Sequence, residues 1–285
     1  MRAVLVGALL AVAACHDFDP IGELDHREYA ETGAAIQAIL DQEPAPRVYA
    51  IGEYHETIAT AKSGARSTLD RFNRDILGLL QPHAHHLVVE AWLGDDCAST
   101  AAAVSGQVSA ATGHAPRTAD DIGILVAASA RASLVPHGLP MTCIEQGAVV
   151  DGRGRVDFLL LLELITDKLG DTTRALLAED PDRAVIVYGG ALHNDLYPRW
   201  PLDQLSYAAP LARELGGGGV LELDLVVPEV VAPMALVRGE AWFPLLGLAA
   251  PGRTIVWQRG PSSYVVILPA ASAAVAAVAL PRALD

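Results

Sequence analysis

Short apolar runs alternate along the chain with longer stretches whose apolar residues recur at helical spacing. Val48–Ile51 stops at Gly52, and an acid and an imidazole follow at Glu53 and His55. Ala184–Tyr188 stops at Gly189-Gly190 and leads to His193, Asn194 and Asp195. Short β-branched and aromatic runs ending at glycine predict buried strands leaving a sheet. Leu87–Val89, ending in Glu90, and Leu139–Ile144, ending in Glu145, predict two more strands. Between them, helical spacing predicts helices over Glu23–Asp41, Ile58–Leu80, Thr118 to about Ser133, Val156–Ala178 and Gln204–Leu215. Val220–Val227 sets Glu222 and Asp224 against leucines, an alternation that predicts a strand near an edge or lining a cleft. Thr254–Gln258 and Tyr264–Leu268 predict a closing hairpin around Gly260-Pro261.

This order predicts an α/β fold, a mainly parallel central sheet flanked by helices, with an antiparallel C-terminal hairpin. Residues 25–270 read as a single domain, followed by an Ala-rich tail over 271–285. Right-handed crossovers bring the C-terminal ends of parallel strands to one rim. Glu53, His55, Glu90, Glu145, His193 and Asp195 all fall just past such ends. In open α/β sheets that rim is where ligands bind.

Two of the strand ends carry Gly-x-x-His, as Gly52 with His55 and Gly190 with His193. Glycine lets the chain turn sharply off the strand, so that an imidazole three residues on points back over the rim. Imidazole with carboxylate suits Mn, Co, Fe or Zn, which makes His55, His193, Glu53 and Glu90 the candidate ligands of a divalent metal. Glu53, Glu90 or Glu145 would serve as general base. Tyr54, Arg66 and Asp195 are candidate substrate contacts, with Arg71 a second cation on the same stretch as Arg66. His83, His85 and His86 precede their strand, on the opposite rim, and are read as standing apart from this site. No Gly-x-Ser-x-Gly elbow occurs, and no phosphate-cradling or dinucleotide glycine pattern.

With 285 residues, 52% hydrophobic and 19% charged, the composition is that of a globular protein. A net charge of −14 and the lack of any Lys/Arg run argue against nucleic acid as partner. Met1-Arg2 and the apolar Ala3–Val12 have the form of an export signal, too short to span a membrane. The signal ends in Val12-Ala13-Ala14-Cys15, which resembles a bacterial lipobox. That resemblance implies removal of residues 1–14, lipidation of Cys15, a tether over 15–24, and a body held at a lipid bilayer. His16 in place of aspartate favours the outer membrane, by resemblance to known sorting patterns. Outside the cytoplasm a bridge between Cys97 and Cys143 is permitted.

Gly52-Glu53-Tyr54-His55, the Val88-Val89-Glu90 strand end and Gly190-Ala191-Leu192-His193 together resemble the haem-binding-uptake/Tiki superfamily. That group includes ChaN-like haem-binding lipoproteins, Tiki and TraB-type proteins, and the erythromycin esterase family. The likeness covers Arg47–Asp195 and the strand near Val220, and the lipobox suits the ChaN-like branch. It implies Glu53, His55, Glu90 and His193 as core site residues, with either metal-dependent hydrolysis of an amide or ester, or haem binding. The hydrolytic reading takes a small molecule or peptide as substrate. The haem reading takes Tyr54 or a histidine as contact, without turnover.

Overall fold

Strands β1 (His26–Tyr29), β2 (Val48–Glu53), β3 (Ala84–Trp92), β4 (Val135–Leu139), β5 (Ala184–Gly190), β6 (Val220–Val226), β7 (Thr254–Gly260) and β8 (Ser263–Ile267) form one sheet. Its order is β1-β7-β8-β6-β2-β5-β3-β4 in a computed structural model that describes residues 24–43, 45–61, 65–92, 104, 107 and 117–272. From β8 through β6, β2, β5 and β3 to β4 every pairing is parallel, while β7 runs antiparallel to both β8 and β1. The class is α/β with an antiparallel edge, as the hydrophobic pattern predicts.

Each sheet face carries its own core. Tyr49, Ile51, Ile186, Leu221, Leu223 and Leu225 pack with Ile36, Phe72, Leu80 and Trp242 on one face. Val48, Ala50, Val88, Val185 and Val187 pack under Leu161, Ile165, Leu169 and Leu176 of the Phe158–Glu179 helix on the other. Alternate residues of one strand serve opposite faces, so strands buried on both sides must be apolar throughout. That is why β2 and β5 read as unbroken apolar runs.

Four elements differ from the sequence expectation. Helical spacing over Glu23–Asp41 covers two elements, β1 and then the Thr32–Leu40 helix. The four residues of β1 are held by pairing with β7, a contact more than two hundred positions away that local spacing cannot report. The strand expected at Leu139–Ile144 lies earlier, at Val135–Leu139. Pro136 and Gly138 disguise it, and proline is tolerated because β4 is the sheet edge. The expected Ile58–Leu80 helix is an Ile58–Ala61 turn and a second stretch from Thr68. That second stretch starts on the Ser67 side chain, which accepts from the Asp70 amide at 3.0 Å, and contains a π-helical turn at Phe72–Ile76. Finally, β6 lies between β8 and β2, not at an edge, and both Glu222 and Asp224 are buried.

The chain crosses from one side of β2 to the other between β5 and β6, which makes the β2 end a switch point of the sheet. Gly52 is tight there. A Cβ at this position would meet Asp224 Oδ1 at 2.2 Å and the Ala191 Cα at 2.9 Å. Gly52→Ala is therefore expected to cost about 1–3 kcal/mol in chemical denaturation, an overpacking penalty. Gly78→Ala, whose added Cβ meets nothing within 4 Å, is expected to be neutral or stabilising.

Candidate functional site

Gly52, Gly189 and Gly190 end the two central strands β2 and β5, and the space left by their missing side chains is filled by polar groups from neighbouring elements. A Cβ on Gly189 would meet Glu90 Oε2 at 2.7 Å. One on Gly190 would meet His55 Nε2 at 3.1 Å, Glu90 Oε2 at 3.6 Å and His193 Cδ2 at 3.6 Å. Two imidazoles and a carboxylate, delivered by three different strand ends, thus converge on a single point above Gly190.

Each of the three is fixed from behind. The Nδ1 of His55 bonds Glu53 Oε1 at 2.8 Å, and the other oxygen of Glu53 accepts from the Tyr188 hydroxyl. Burial alone would lower the His55 pKa, but the hydrogen bond and charge of Glu53, helped by Glu90, raise it to about 9. His55 therefore carries both ring protons at neutral pH, one given to Glu53 and one on the Nε2 beside Gly190. His193 is buried, with its Nδ1 2.8 Å from Thr166 Oγ1 and 3.1 Å from the Leu205 carbonyl. Thr166 spends its own proton on the Leu162 or Leu205 carbonyl, so His193 Nδ1 is a donor in this cluster. Its Nε2 faces Glu90 Oε1 at 4.0 Å. Glu90 Oε2 accepts from the Gly190 amide at 2.7 Å, which leaves Oε1 facing His193.

A second polar cluster supports the same rim. The Arg259 guanidinium of β7 reaches Glu222 at 2.8 and 2.9 Å and also bonds Asp195. Burial pushes Glu222 up to about 7 against the pull of Arg259. Burial and the neighbouring Glu222 push Asp224 well above the usual carboxylate range, and its Oδ1 is buried without a hydrogen-bond partner. Asn194 locks the short Ala191–Asn194 helix onto β2, donating to the Ile51 carbonyl at 2.8 Å and accepting from Tyr207 at 2.7 Å.

Among the residues singled out in the sequence, His55, Glu90 and His193 meet, with Glu53 directly behind His55. Glu53 is thus an orienting group with both oxygens engaged, not one that faces the shared point. The others lie elsewhere. Glu145 forms a capping box with Thr142 and pairs with Lys168 at 2.6 Å, because its strand ends at Leu139 and a helix has begun at Cys143. Arg66 is exposed and pairs with Asp70 four residues on, at 3.4 Å. Arg71 donates to the Pro269 carbonyl at 2.6 Å. Asp195 belongs to Arg259, and the Tyr54 ring packs on Trp242 with centroids 5.5 Å apart. Cys15 and Cys97 lie outside the described residues; Cys143 is disulfide-bonded.

The sequence pattern does not single out Tyr188, Thr166 or Arg259. For Arg259 a signal existed: two acids in an apolar strand require a buried cation, and Arg259 stands in the hairpin that follows. For Thr166 the signal was a hydroxyl within a leucine-rich helix.

Among the described residues, the group of three or more His, Cys, Asp or Glu whose ligand atoms all lie within 4.8 Å of one another is His85, His86 and Asp180, at the opposite rim.

No protein-family model matches the chain, and no curated protein matches it. Among solved structures, the type III effector HopBA1 aligns over 87% of this chain and 97% of its own, with 14% identity and a TM-score of 0.44.

Arg259→Met would leave Glu222 and Asp195 without their cation, and is expected to cost about 3–5 kcal/mol at neutral pH. Because Glu222 takes up a proton as pH falls through about 7, the loss should shrink on acidification, which denaturant melts across pH will show.

Proposed function

We propose that the Gly190 rim is a hydrolase-like site that cleaves a carboxylic ester or amide by proton transfer, on an envelope lipoprotein anchored through an acylated Cys15. The observation that carries the chemistry is the opposed character of the two imidazoles at one point. His55 presents an N–H there, backed by the Glu53 carboxylate, and His193 turns its Nε2 to Glu90 Oε1 at 4.0 Å, its Nδ1 being tied to the Leu205 carbonyl. A carboxylate behind an imidazole holds its tautomer and stabilises its cation.

In this reading Glu90 Oε1 takes a proton from water as the oxygen adds to the substrate carbonyl carbon. His55 gives its Nε2 proton to the departing alkoxide or amine, and the proton on Glu90 then returns to His55. His193 orients the water. Glu53 and Tyr188 position His55 and do not touch substrate. No step here is routed through a divalent ion; His193 and Glu90 would hold one, with His55 as a further ligand in its neutral form, and it would supply positive charge to activate the attacking water. Of the two activities that the Gly-x-x-His resemblance implies, this reading is the hydrolytic one. The envelope address rests on the apolar Ala3–Val12 segment and the lipobox-like Val12–Cys15; among the described residues no helix is long and apolar enough to cross a membrane.

The test is hydrolysis of a panel of chromogenic esters and amides by the purified chain. His55→Ala and Glu90→Gln should each lower kcat by about 10²–10⁴-fold. Turnover should fall as pH rises through about 9, where His55 loses the proton it donates. In Glu53→Gln that limb should move to lower pH, because the group that raises His55 is gone. Activity that survives exhaustive chelation supports proton transfer alone; loss on chelation and recovery with added metal would return the divalent ion to the site. Turnover indifferent to His55→Ala rejects the assignment.

The anchor has its own test. In a bacterial host, Cys15→Ser should abolish labelling by a fatty acid and release the protein from the membrane fraction.

A further inference from the structure

His83, His85 and His86 lie at the rim opposite the candidate site, as their place before the strand predicts: β3 begins at Ala84, while the Gly190 point lies at the far ends of the strands. Yet two of these histidines are brought together. In a regular strand, consecutive side chains point to opposite faces. Here the β3–β5 register slips between Ala84 and His86, so that His85 is an extra residue in the ladder. Such bulges re-aim side chains. The His85 and His86 rings lie with centroids 4.9 Å apart. Asp180, which follows the Phe158–Glu179 helix, completes a trio whose ligand atoms are all within 4.8 Å of one another.

The state of His86 points to a ligand. The residue is 7% exposed, its Nδ1 lies 3.1 Å from His137 Nε2 on β4, and its Nε2 is buried with no hydrogen-bond partner. A buried ring nitrogen without a partner is costly unless something outside the chain satisfies it. An imidazole whose second nitrogen is tied to a neighbour is also the usual arrangement of a metal-bound histidine, in which the outer contact fixes tautomer and ring angle. His85 and Asp180 are half-exposed, which leaves the trio open to solvent.

We propose that His85, His86 and Asp180 form a binding site for a first-row divalent transition ion of the zinc, copper or nickel class. Two imidazoles with one carboxylate select these ions over calcium and magnesium, which prefer all-oxygen shells. Three protein ligands leave a coordination position for water. The ion ties the start of β3 to the end of the Phe158–Glu179 helix, and His137 orients His86 from behind. This site is independent of the Gly190 rim, and stands whether or not that rim is catalytic.

The experiment uses the full untagged chain, stripped with chelator and titrated with Co²⁺ while the visible absorption is followed. Co²⁺ reports nitrogen and oxygen ligation directly. Wild type should show a saturable spectrum at micromolar ion, and so should a His55→Ala, His193→Ala double variant. His85→Ala and Asp180→Asn should each weaken binding by about tenfold or more. Both positions are half-exposed, so the variants should fold, and melting in chelator should match wild type. Zn²⁺ should then raise the melting temperature of wild type and not of these two variants. The proposal is overturned if wild type gives no saturable spectrum, if His85→Ala and Asp180→Asn bind as wild type does, or if the ion is lost with His55 and His193 instead.

Discussion

Space at the ends of β2 and β5 governs the candidate site. Gly52, Gly189 and Gly190 occupy neighbouring strand ends, and at each a Cβ would collide with or crowd a polar side chain from another element. Because those carbons are missing, Asp224 can lie against Gly52, Glu90 against Gly189, and His55 and His193 on either side of Gly190. The sheet then makes the arrangement permanent. Gly52 pairs with both Gly189 and Asp224 in the parallel ladders, so none of these positions can shift without breaking the register of the three central strands.

Burying so many acids creates an electrostatic demand, and two cations meet it. Arg259 reaches across from the C-terminal hairpin to Glu222 and Asp195. His55 answers Glu53 and Glu90, and in doing so is held protonated well beyond its ordinary range. The difference between the two matters. Arginine keeps its proton throughout, so the Arg259 cluster is structural. An imidazole gives its proton up when a partner demands it, and His55 presents that proton at the point where Glu90 and His193 converge. Burial makes both cations necessary, yet of the two only His55 has a proton that it can give up in the ordinary pH range.

Much of the fold was legible because the central strands are buried on both faces and so must be apolar throughout. β2 and β5, the long Phe158–Glu179 helix and the closing hairpin are visible to local pattern alone. β1 and β4 were displaced because long-range pairing and edge position, not local propensity, hold them. The alternation in β6 was real but had a different cause. Glu222 and Asp224 are polar because Arg259 and the Gly52 gap receive them, not because water does. At the site, the strand ends bring His55, Glu90 and His193 to one rim, since parallel topology sends every such end there. Tyr188 is hidden, because what it supports is a partner's orientation and nothing in its own neighbourhood of sequence shows it; Thr166 shows only as a hydroxyl in a leucine-rich helix, without its partner. His85 and His86 stand on the opposite rim, as their place before the strand indicates, but the bulge that brings their rings together appears only in three dimensions.

The central claim is that Glu53 makes His55 a proton donor at neutral pH. Ring-nitrogen NMR of His55, followed across a pH titration, addresses it without any substrate. The account predicts titration near pH 9 with a proton on each nitrogen below that value, and a fall toward the ordinary histidine range in Glu53→Gln. A His55 that titrates in the ordinary histidine range, unchanged by Glu53→Gln, would contradict it.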